Sequence, residues 1–167
     1  MRLPKISVGR IVNTHGIRGE VRATPYDGDP AFLTRFRKFY VDGQPVGVET
    51  ARVHKGFALL KFEGVNDMDA ASALKGKALE IDRADASDVP FFDAELIGME
   101  VRDADTGECI GTLEKVETYP ASKVYTVKGA HTYLVPAVPD AFIVSTDLDA
   151  NRMTIHVWEG LAQDDGN

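Results

Sequence analysis

His15 stands beside a glycine between two apolar runs near the amino terminus, and its imidazole is the side chain of this stretch with the widest chemistry. Such a histidine can act as a general base, a metal ligand or a phosphate contact, because it titrates near neutral pH. Catalysis would require a nucleophile or a second ligand at a characteristic spacing. The surrounding sequence has no nucleophile motif, no His-Glu-x-x-His pair and no Gly-x-x-x-x-Gly-Lys loop. Three roles stay open: a hydrogen bond to its own loop, contact with a macromolecule, or the base of a hydrolase.

The connector around His15 contains Gly16 and Gly19, three residues apart. Glycines at this spacing predict backbone positions that need positive φ or a close approach, so we expect one defined loop conformation. A fixed loop is suited to binding. We therefore take His15, Gly16, Arg18 and Gly19 as candidate contact residues.

Basic residues follow the same half of the chain in two groups. The first flanks the loop and the second begins 13 residues after the first ends: Arg10, Arg18 and Arg22, then Arg35, Arg37 and Lys38. Both groups could touch the phosphates of a nucleic acid. Solvated barrel edges explain them equally well, because acids balance them and no aromatic residues are interleaved around the loop.

Charge divides unevenly along the 167 residues. Residues 1–88 contain 14 Lys+Arg and 12 Asp+Glu (net +2), and residues 89–167 contain 5 and 14 (net −9), which sum to −7. The acidic half disfavours direct RNA binding and favours a basic protein partner. Ordinary solubility is the alternative explanation.

Several classes of site are not predicted. Cys109 is a single cysteine, so no internal disulfide is expected. The carboxylates of Asp140, Asp147 and Asp149 fit no calcium loop and are interpreted as turn residues. No export signal and no apolar run of about 20 residues occurs, which predicts a soluble, cytoplasmic, non-membrane protein. We predict no cofactor, no metal and a monomer.

The order of short β-branched and aromatic runs predicts an all-β protein of two small β-barrel domains joined by a short linker, with one or two short helices. In the first domain, strands are expected at residues 6–12, 20–24, 38–41, 46–54, 57–63 and 77–82. Asp42-Gly43 predicts a hairpin turn with positive φ at both positions. Asn66 is the expected cap of a helix whose apolar face carries Met68, Ala71 and Leu74. Residues 30–36 are a candidate second helix.

The polar stretch between Asp82 and Phe92 breaks this pattern and predicts the linker. We therefore assign domains to residues 1–84 and 91–167, with a linker at 85–90. Strands of the second domain are expected at residues 99–103, 109–118, 123–127, 132–135, 142–146 and 152–158. Phe91-Phe92 follows the linker, and adjacent residues of an extended chain point in opposite directions. Either one ring is exposed and available to a partner, or both rings fill the interior of the barrel.

Four segments in order resemble the RimM family of bacterial ribosome maturation factors. They are residues 8–21 (VGRIVNTHGIRGEV), residues 95–101 (ELIGMEV) with Gly107 and Gly111, residues 134–139 (LVPAVP), and residues 159–161 (EGL). Each segment is short, but their order and spacing extend over nearly the whole chain. The resemblance implies an amino-terminal RimM barrel followed by a PRC-barrel.

The resemblance also implies a non-enzymatic factor that binds the immature small ribosomal subunit and assists its assembly and rRNA processing. The implied partner is the basic small-subunit ribosomal protein numbered nineteen, in the subunit head. Family members commonly carry two tyrosines at Phe91 and Phe92, so partner contacts are expected at Phe91, Phe92, Glu95 and Leu96. Lys123 lies where the family more usually presents an Asn-Asp pair, and we transfer no role to it. A generic PRC-barrel adaptor unrelated to ribosomes is the remaining alternative.

Overall fold

The computed structural model describes residues 1–163, which form two compact units. One unit is Pro4–Ser87, and the other joins Met1–Leu3 to the chain from Asp88 onward. Strands dominate both units and the helices are short, so the predicted all-β class is confirmed. Met1–Leu3, which we assigned to the first domain, lies with the second unit. Residues 164–167 of the predicted second domain lie outside the described residues.

The first unit is a closed six-stranded antiparallel barrel. Its strands are β1 (Lys5–His15), β2 (Glu20–Pro25), β3 (Lys38–Val41), β4 (Gln44–His54), β5 (Phe57–Phe62) and β6 (Ala78–Asp82). They close in the order β1-β2-β5-β4-β3-β6. Alternation along β2 buries Val21 and Ala23 completely and leaves Glu20 and Arg22 half-buried. The barrel therefore has an apolar interior and carries charge on its outer face.

The turn between β3 and β4 has the predicted conformation. Val41 pairs with Gln44, and the two residues between them have φ values of 52° (Asp42) and 77° (Gly43). Positive φ at both central positions is the mark of a type I′ turn, whose twist matches that of the flanking strands. The hairpin prediction is confirmed.

The predicted helix begins one residue later than we expected. Helix α1 (Met68–Ser72) is capped by Asp67, whose carboxylate accepts the backbone N–H three residues on at 2.8 Å, and not by Asn66. Asp67 is better placed because its backbone is extended directly before the first helical residue. Ala71 is buried as predicted, but Met68 is 47% exposed, so the helix buries a narrower face than its sequence predicts.

Two 3-10 helices complete the first unit. Pro30–Arg35, the candidate second helix, is a 3-10 helix capped by Asp29, whose carboxylate accepts a backbone N–H at 2.8 Å. The other, Arg83–Ala86, follows β6 inside the stretch predicted to be a linker. Arg83 is 6% and Ala86 0% exposed, so the beginning of that stretch is folded.

The second unit contains one seven-stranded sheet. Its elements are α2 (Asp93–Leu96), β7 (Glu100–Asp103), β8 (Cys109–Thr118), β9 (Lys123–Lys128), β10 (Thr132–Pro136), β11 (Ile143–Asp147), β12 (Arg152–Ile155) and β13 (Ala162–Gln163). The sheet order is β11-β12-β7-β8-β9-β10-β13, and only the β12–β7 pair is parallel. Its core includes Met99, Val101, Leu113, Val127 and Met153.

Three features of this unit differ from the sequence prediction. Strand β12 ends at Ile155 and not at residue 158. Helix α2 and strand β13 were not predicted, since each is only four or two residues long. Segments this short are defined by tertiary contacts and not by a periodic pattern.

The segment between the units is expected to be the first site of limited proteolysis. Ser87, Asp88 and Pro90 are exposed, whereas Ile81, Arg83 and Ala86 are buried. Proteases need an exposed, locally unfolded backbone. We expect cleavage at residues 87–90, with two stable fragments identified by mass spectrometry. Early cleavage inside β5, or no stable fragment ending near this segment, would contradict two independently stable domains.

Candidate macromolecular interfaces

The loop between β1 and β2 has the fixed backbone that its glycines predict. Gly16 has φ of 67° and Gly19 of 101°. A Cβ at Gly19 would lie 2.1 Å from the carbonyl oxygen of Val65, so this position also requires the absence of a side chain. The loop is therefore held against the chain that leaves β5.

The loop projects an apolar side chain that sequence reasoning missed. Ile17 lies between the two glycines and is 75% exposed, and its neighbour Arg18 is also exposed. Of the other predicted contacts, Gly16 is exposed, His15 is half-buried and Gly19 is buried. In the sequence, the signal for this exposed side chain was a large apolar residue between two glycines that were expected to need positive φ.

His15 contacts side chains and not the backbone of its own loop, which we had given as one alternative. Nε and Nη2 of Arg22 both lie 3.4 Å from Nδ1 of His15, and the ring of His54 lies edge-on with its centroid 5.5 Å away. Because a guanidinium only donates, Nδ1 of His15 is the acceptor in this arrangement. These contacts provide no nucleophile and no orienting carboxylate.

His54 brings further positive charge to this place. Burial lowers the pKa of His54, and the neighbouring Lys55, Arg52, His15 and Arg22 lower it further. We call His15, Arg22, Arg52, His54 and Lys55 the basic patch. Its associated carboxylate is Glu20, whose Oε1 lies 3.4 Å from Nη2 of Arg52.

The second predicted basic group is largely engaged inside the barrel unit. Nζ of Lys38 lies 2.9 Å from Oδ2 of Asp82, and this hydrogen bond, with one to Tyr40, raises the pKa of Lys38. The guanidinium of Arg35 lies over the rings of Phe32 and Phe36, at 5.2 and 5.7 Å from their centroids. These contacts leave less free positive charge than at the basic patch.

The Phe91-Phe92 pair lies at the start of α2, and both rings are half-buried. Phe91 packs against the core of the second unit. Phe92 is the residue directly before the first turn of α2. The pair thus presents part of its aromatic area to solvent.

Glu95 and Leu96, which we expected to touch a partner, are 1% and 0% exposed. Oε1 of Glu95 accepts the backbone N–H of Phe92 at 2.9 Å, and Oε2 accepts that of Leu3 at 3.2 Å. Leu96 belongs to the apolar core. Both residues therefore support the aromatic pair from within the unit. Because they are buried, the prediction that they touch a partner directly is corrected.

Lys123, the unusual lysine of the acidic half, also supports this segment. Its Nζ lies 2.7 and 2.9 Å from the two carboxylate oxygens of Asp93, the first residue of α2. Burial raises the pKa of the nearby Tyr125, and Asp93 raises it further. The Lys123–Asp93 pair therefore joins α2 to β9.

Every cation of the acidic half is paired with a carboxylate. The pairs are Arg102–Glu100, Lys115–Glu117, Lys123–Asp93, Lys128–Glu114 and Arg152–Glu100, at N–O distances of 2.7 to 3.7 Å. The remaining carboxylates carry the net negative charge of this unit. Surface pairs of this kind contribute little stability, so their effect is mainly on the distribution of charge.

Three carboxylates around an exposed tryptophan form a depression that we call the acidic notch. Asp105, Asp140 and Glu159 line it with His156 and Trp158, and its volume is about 400 Å³. Within the described chain, none of the three carboxylates pairs with a cation. Trp158 is 54% exposed, and its Nε1 donates to a backbone carbonyl at 2.9 Å, which fixes the ring. Carboxylates beside a fixed indole suit a lysine or arginine side chain.

Neither unit presents a metal site or a membrane span in its described part. No group of three or more His, Cys, Asp or Glu side chains in residues 1–163 could hold a metal ion. The Asp147 carboxylate accepts the backbone N–H of Ala150, and Asp149 pairs with Arg2 at 3.0 Å, as expected for turn residues. No helix among these residues is long and apolar enough to cross a membrane.

Comparison with known families gives a match in each half of the chain. Residues 6–86 match the RimM N-terminal domain, and residues 93–161 match the RimM PRC barrel domain. Two relatives named ribosome maturation factor RimM cover nearly the whole sequence. That of Clostridioides difficile is 33% identical and that of Acetivibrio thermocellus 34% identical, each over 96% of this chain and 97% of the relative.

Solved structures give a weaker likeness. The crystal structure of a putative 16S ribosomal RNA processing protein RimM from Pseudomonas aeruginosa is 25% identical, with a TM-score of 0.45 over 92% of this chain and 97% of that one. The solution structure of the N-terminal domain of RimM from Thermus thermophilus is 24% identical, with a TM-score of 0.43 over 50% of this chain and 94% of that one.

Proposed function

The chain belongs to the RimM family of ribosome maturation factors, and we propose that it acts by binding alone, with its carboxy-terminal unit docked on the basic small-subunit ribosomal protein 19. Docking would hold one arrangement of the immature small-subunit head while the rRNA folds and is processed. The factor then leaves the mature particle. This mechanism selects one conformation of the particle and needs no chemical step.

The acidic notch is the observation that carries this proposal. The five cations of this half are already paired, so Asp105, Asp140 and Glu159 are available to a partner's cation. A lysine or arginine of the basic protein would gain carboxylate contacts and the face of Trp158. Negative charge over the whole unit would also speed the encounter with a basic surface.

The aromatic pair supplies the second half of the proposed contact. Interface energy is concentrated in a few aromatic or arginine anchors, whereas rim charges mainly control association rate and specificity. Phe92, and the open part of Phe91, are suited to the anchor role because Glu95 and Lys123 hold α2 in place. Both rings keep the aromatic area of the family's tyrosine pair and lack its hydroxyls.

The two alternatives fare differently. A generic adaptor unrelated to ribosomes is wrong, because both halves of the chain match RimM domains. A hydrolase based on His15 has little support, since the contacts of His15 are with Arg22 and His54. Its partners suit the recognition of an anion better than proton transfer to a nucleophile.

The proposal predicts that binding to ribosomal protein 19 weakens steeply with salt. The Debye length falls from about 10 Å at 0.1 M to about 3 Å at 1 M, which screens the steering field of an acidic surface. Asp105→Asn, Asp140→Asn and Glu159→Gln combined should weaken the complex about tenfold at low salt and flatten its salt dependence. Surface plasmon resonance with purified ribosomal protein 19 measures the affinity and its salt dependence. Co-sedimentation with immature and mature small subunits tests whether binding to the particle is weakened in the same way.

The matched control carries the same change of charge elsewhere on the acidic half. Glu108→Gln, Glu114→Gln and Glu117→Gln combined remove three carboxylates outside the notch. We expect this variant to retain most of the affinity. Equal losses in the two variants, salt-independent binding, or binding that resides in residues 1–88 would each contradict the proposed interface.

A further inference from the structure

The basic patch differs from the other charged clusters of the barrel unit because Arg22 and Lys55 have no carboxylate partner in the described part of the chain, whereas Arg52 pairs with Glu20. Elsewhere in this unit Lys38 pairs with Asp82, Lys61 with Glu49 at 3.3 Å, and Lys77 with Asp42. Those lysines are therefore neutralised locally. Positive charge that can attract a ligand is therefore found at the basic patch, on β1, β2, β4 and the turn after β4.

At the patch, the guanidinium of Arg22 faces the imidazole of His15 in place of a carboxylate. Its Nε and Nη2 both face Nδ1 of His15 at 3.4 Å, and neither Arg22 nor Lys55 pairs with an acid among residues 1–163. The guanidinium is thus positioned while its full charge is retained. The contact distance is long for a hydrogen bond, so an anion with two oxygens could replace His15 at little cost.

We propose that the basic patch binds the phosphodiester backbone of RNA, and that His54 takes up a proton when it does so. The fork of Arg22 would grip two phosphate oxygens, and Lys55 and Arg52 would face the same or the next phosphate. The identity of the polyanion rests on the proposed function, which brings this protein to the immature small subunit. RNA is the main polyanion of that particle.

Proton uptake follows from the groups that face His54. On its own strand and turn these are Arg52 and Lys55, from β1 His15, from β2 Arg22, with Glu20 attached through Arg52. Burial lowers the pKa of His54, and these cations lower it further. A bound phosphate reverses the local field at its imidazole.

The sign of the pH dependence is therefore defined. Phosphate binding raises the pKa of His54 above that of the free protein, so the complex binds more protons than its parts. Affinity must then rise as pH falls through the interval between free and bound pKa values. A rise of about one unit in the pKa of His54 changes affinity by at most about tenfold.

The test uses the full chain and a fluorescently labelled single-stranded RNA of mixed sequence, with anisotropy read between about pH 7.5 and about pH 5.5. We expect binding to tighten about two- to tenfold across this range. His15→Gln with His54→Gln should abolish this dependence while melting temperature stays close to that of the parent. Arg22→Ala should weaken binding about five- to tenfold at both pH values and reduce the salt slope by about one.

Two controls keep the result interpretable. Lys128→Ala removes one cation from the other unit and should change RNA binding less than twofold. Poly-glutamate of equal charge tests for a general polyanion site and should bind much more weakly than RNA, because carboxylates lack the phosphate geometry. Equal loss in Lys128→Ala, equal binding of poly-glutamate, no RNA binding, or unchanged pH dependence in the histidine variant would overturn the inference.

Failure here can be told apart from failure of the proposed function. The histidine and Arg22 variants should bind ribosomal protein 19 like the parent, because that contact is assigned to the other unit. Loss of RNA binding with intact protein binding supports the RNA site, whereas loss of both from a folded variant would overturn its assignment to RNA. A parent protein that binds RNA but not ribosomal protein 19 would remove the docking proposal alone.

Discussion

Replacement of Glu95 by alanine should destabilise the carboxy-terminal unit by about 2–5 kcal/mol. The sequence predicted this residue only as a partner contact, but its side chain is 1% exposed. The side chain accepts the backbone N–H groups of Phe92 and Leu3 at 2.9 and 3.2 Å. Alanine would leave both donors without these acceptors in a poorly hydrated place. Each such loss costs about 1–3 kcal/mol, and more when the lost acceptor is charged.

Glu95→Gln should have an intermediate effect. An amide oxygen can replace one acceptor, but the amide nitrogen would face the second backbone N–H as another donor. Glu114→Ala is the matched control, because Glu114 is about half exposed and lies 3.7 Å from its lysine. Such a surface pair is worth at most about 1 kcal/mol.

Hydrogen exchange followed by mass spectrometry measures this effect unit by unit. Peptides from β7 and β9 should lose protection in Glu95→Ala, and peptides from β5 should keep it. Similar exchange in Glu95→Ala and Glu114→Ala would show that the buried carboxylate is not a structural clamp. Loss of protection in both units together would show instead that they unfold as one.

The contrast between Glu95 and the Asp42-Gly43 turn shows which parts of the fold follow from local sequence. A type I′ turn is decided by two adjacent residues, so its signal is complete within the hairpin. The role of Glu95 depends on Leu3, which lies 92 positions earlier. No periodic pattern records a hydrogen bond between segments so far apart, and the family motif indicated the residue without its orientation.

The candidate sites were predictable to the same limited degree. The acidic excess of the second half was visible from counting, yet the notch gathers Asp105, Asp140 and Glu159 from three separate loops. Likewise, His15 was a candidate from its loop, but its contact with His54 joins strands 39 positions apart. Composition predicted the sign of the charge on each surface. Which charges remain unpaired is decided only by how the strands and loops are arranged in the fold.

Phe92→Ala is expected to weaken association with the immature small subunit by about 2 kcal/mol or more, roughly thirtyfold, with a smaller change in stability. Phe92 precedes the first turn of α2 and is half-buried, whereas Phe91 packs against the core of the unit. Phe91→Ala should cost more stability, about 1–3 kcal/mol, because this ring does pack on that core. A fully buried phenylalanine would lose about 3–5 kcal/mol.

Phe91→Ala with Phe92→Ala then tests whether the pair is an anchor, and Phe91→Tyr with Phe92→Tyr is its matched control. Tyrosines keep the aromatic area and restore the hydroxyls that the family usually carries, so this control should bind at least as well as the parent. Thermal melting and pull-down with small-subunit precursors are read on the same samples. Parent-like binding by a folded double alanine variant, or a collapse in melting temperature that accounts for the lost binding, would show that the two rings are structural plugs. Lost binding with only a modest fall in melting temperature is the result that an interface anchor requires, since anchors act through area buried against the partner and not within the unit.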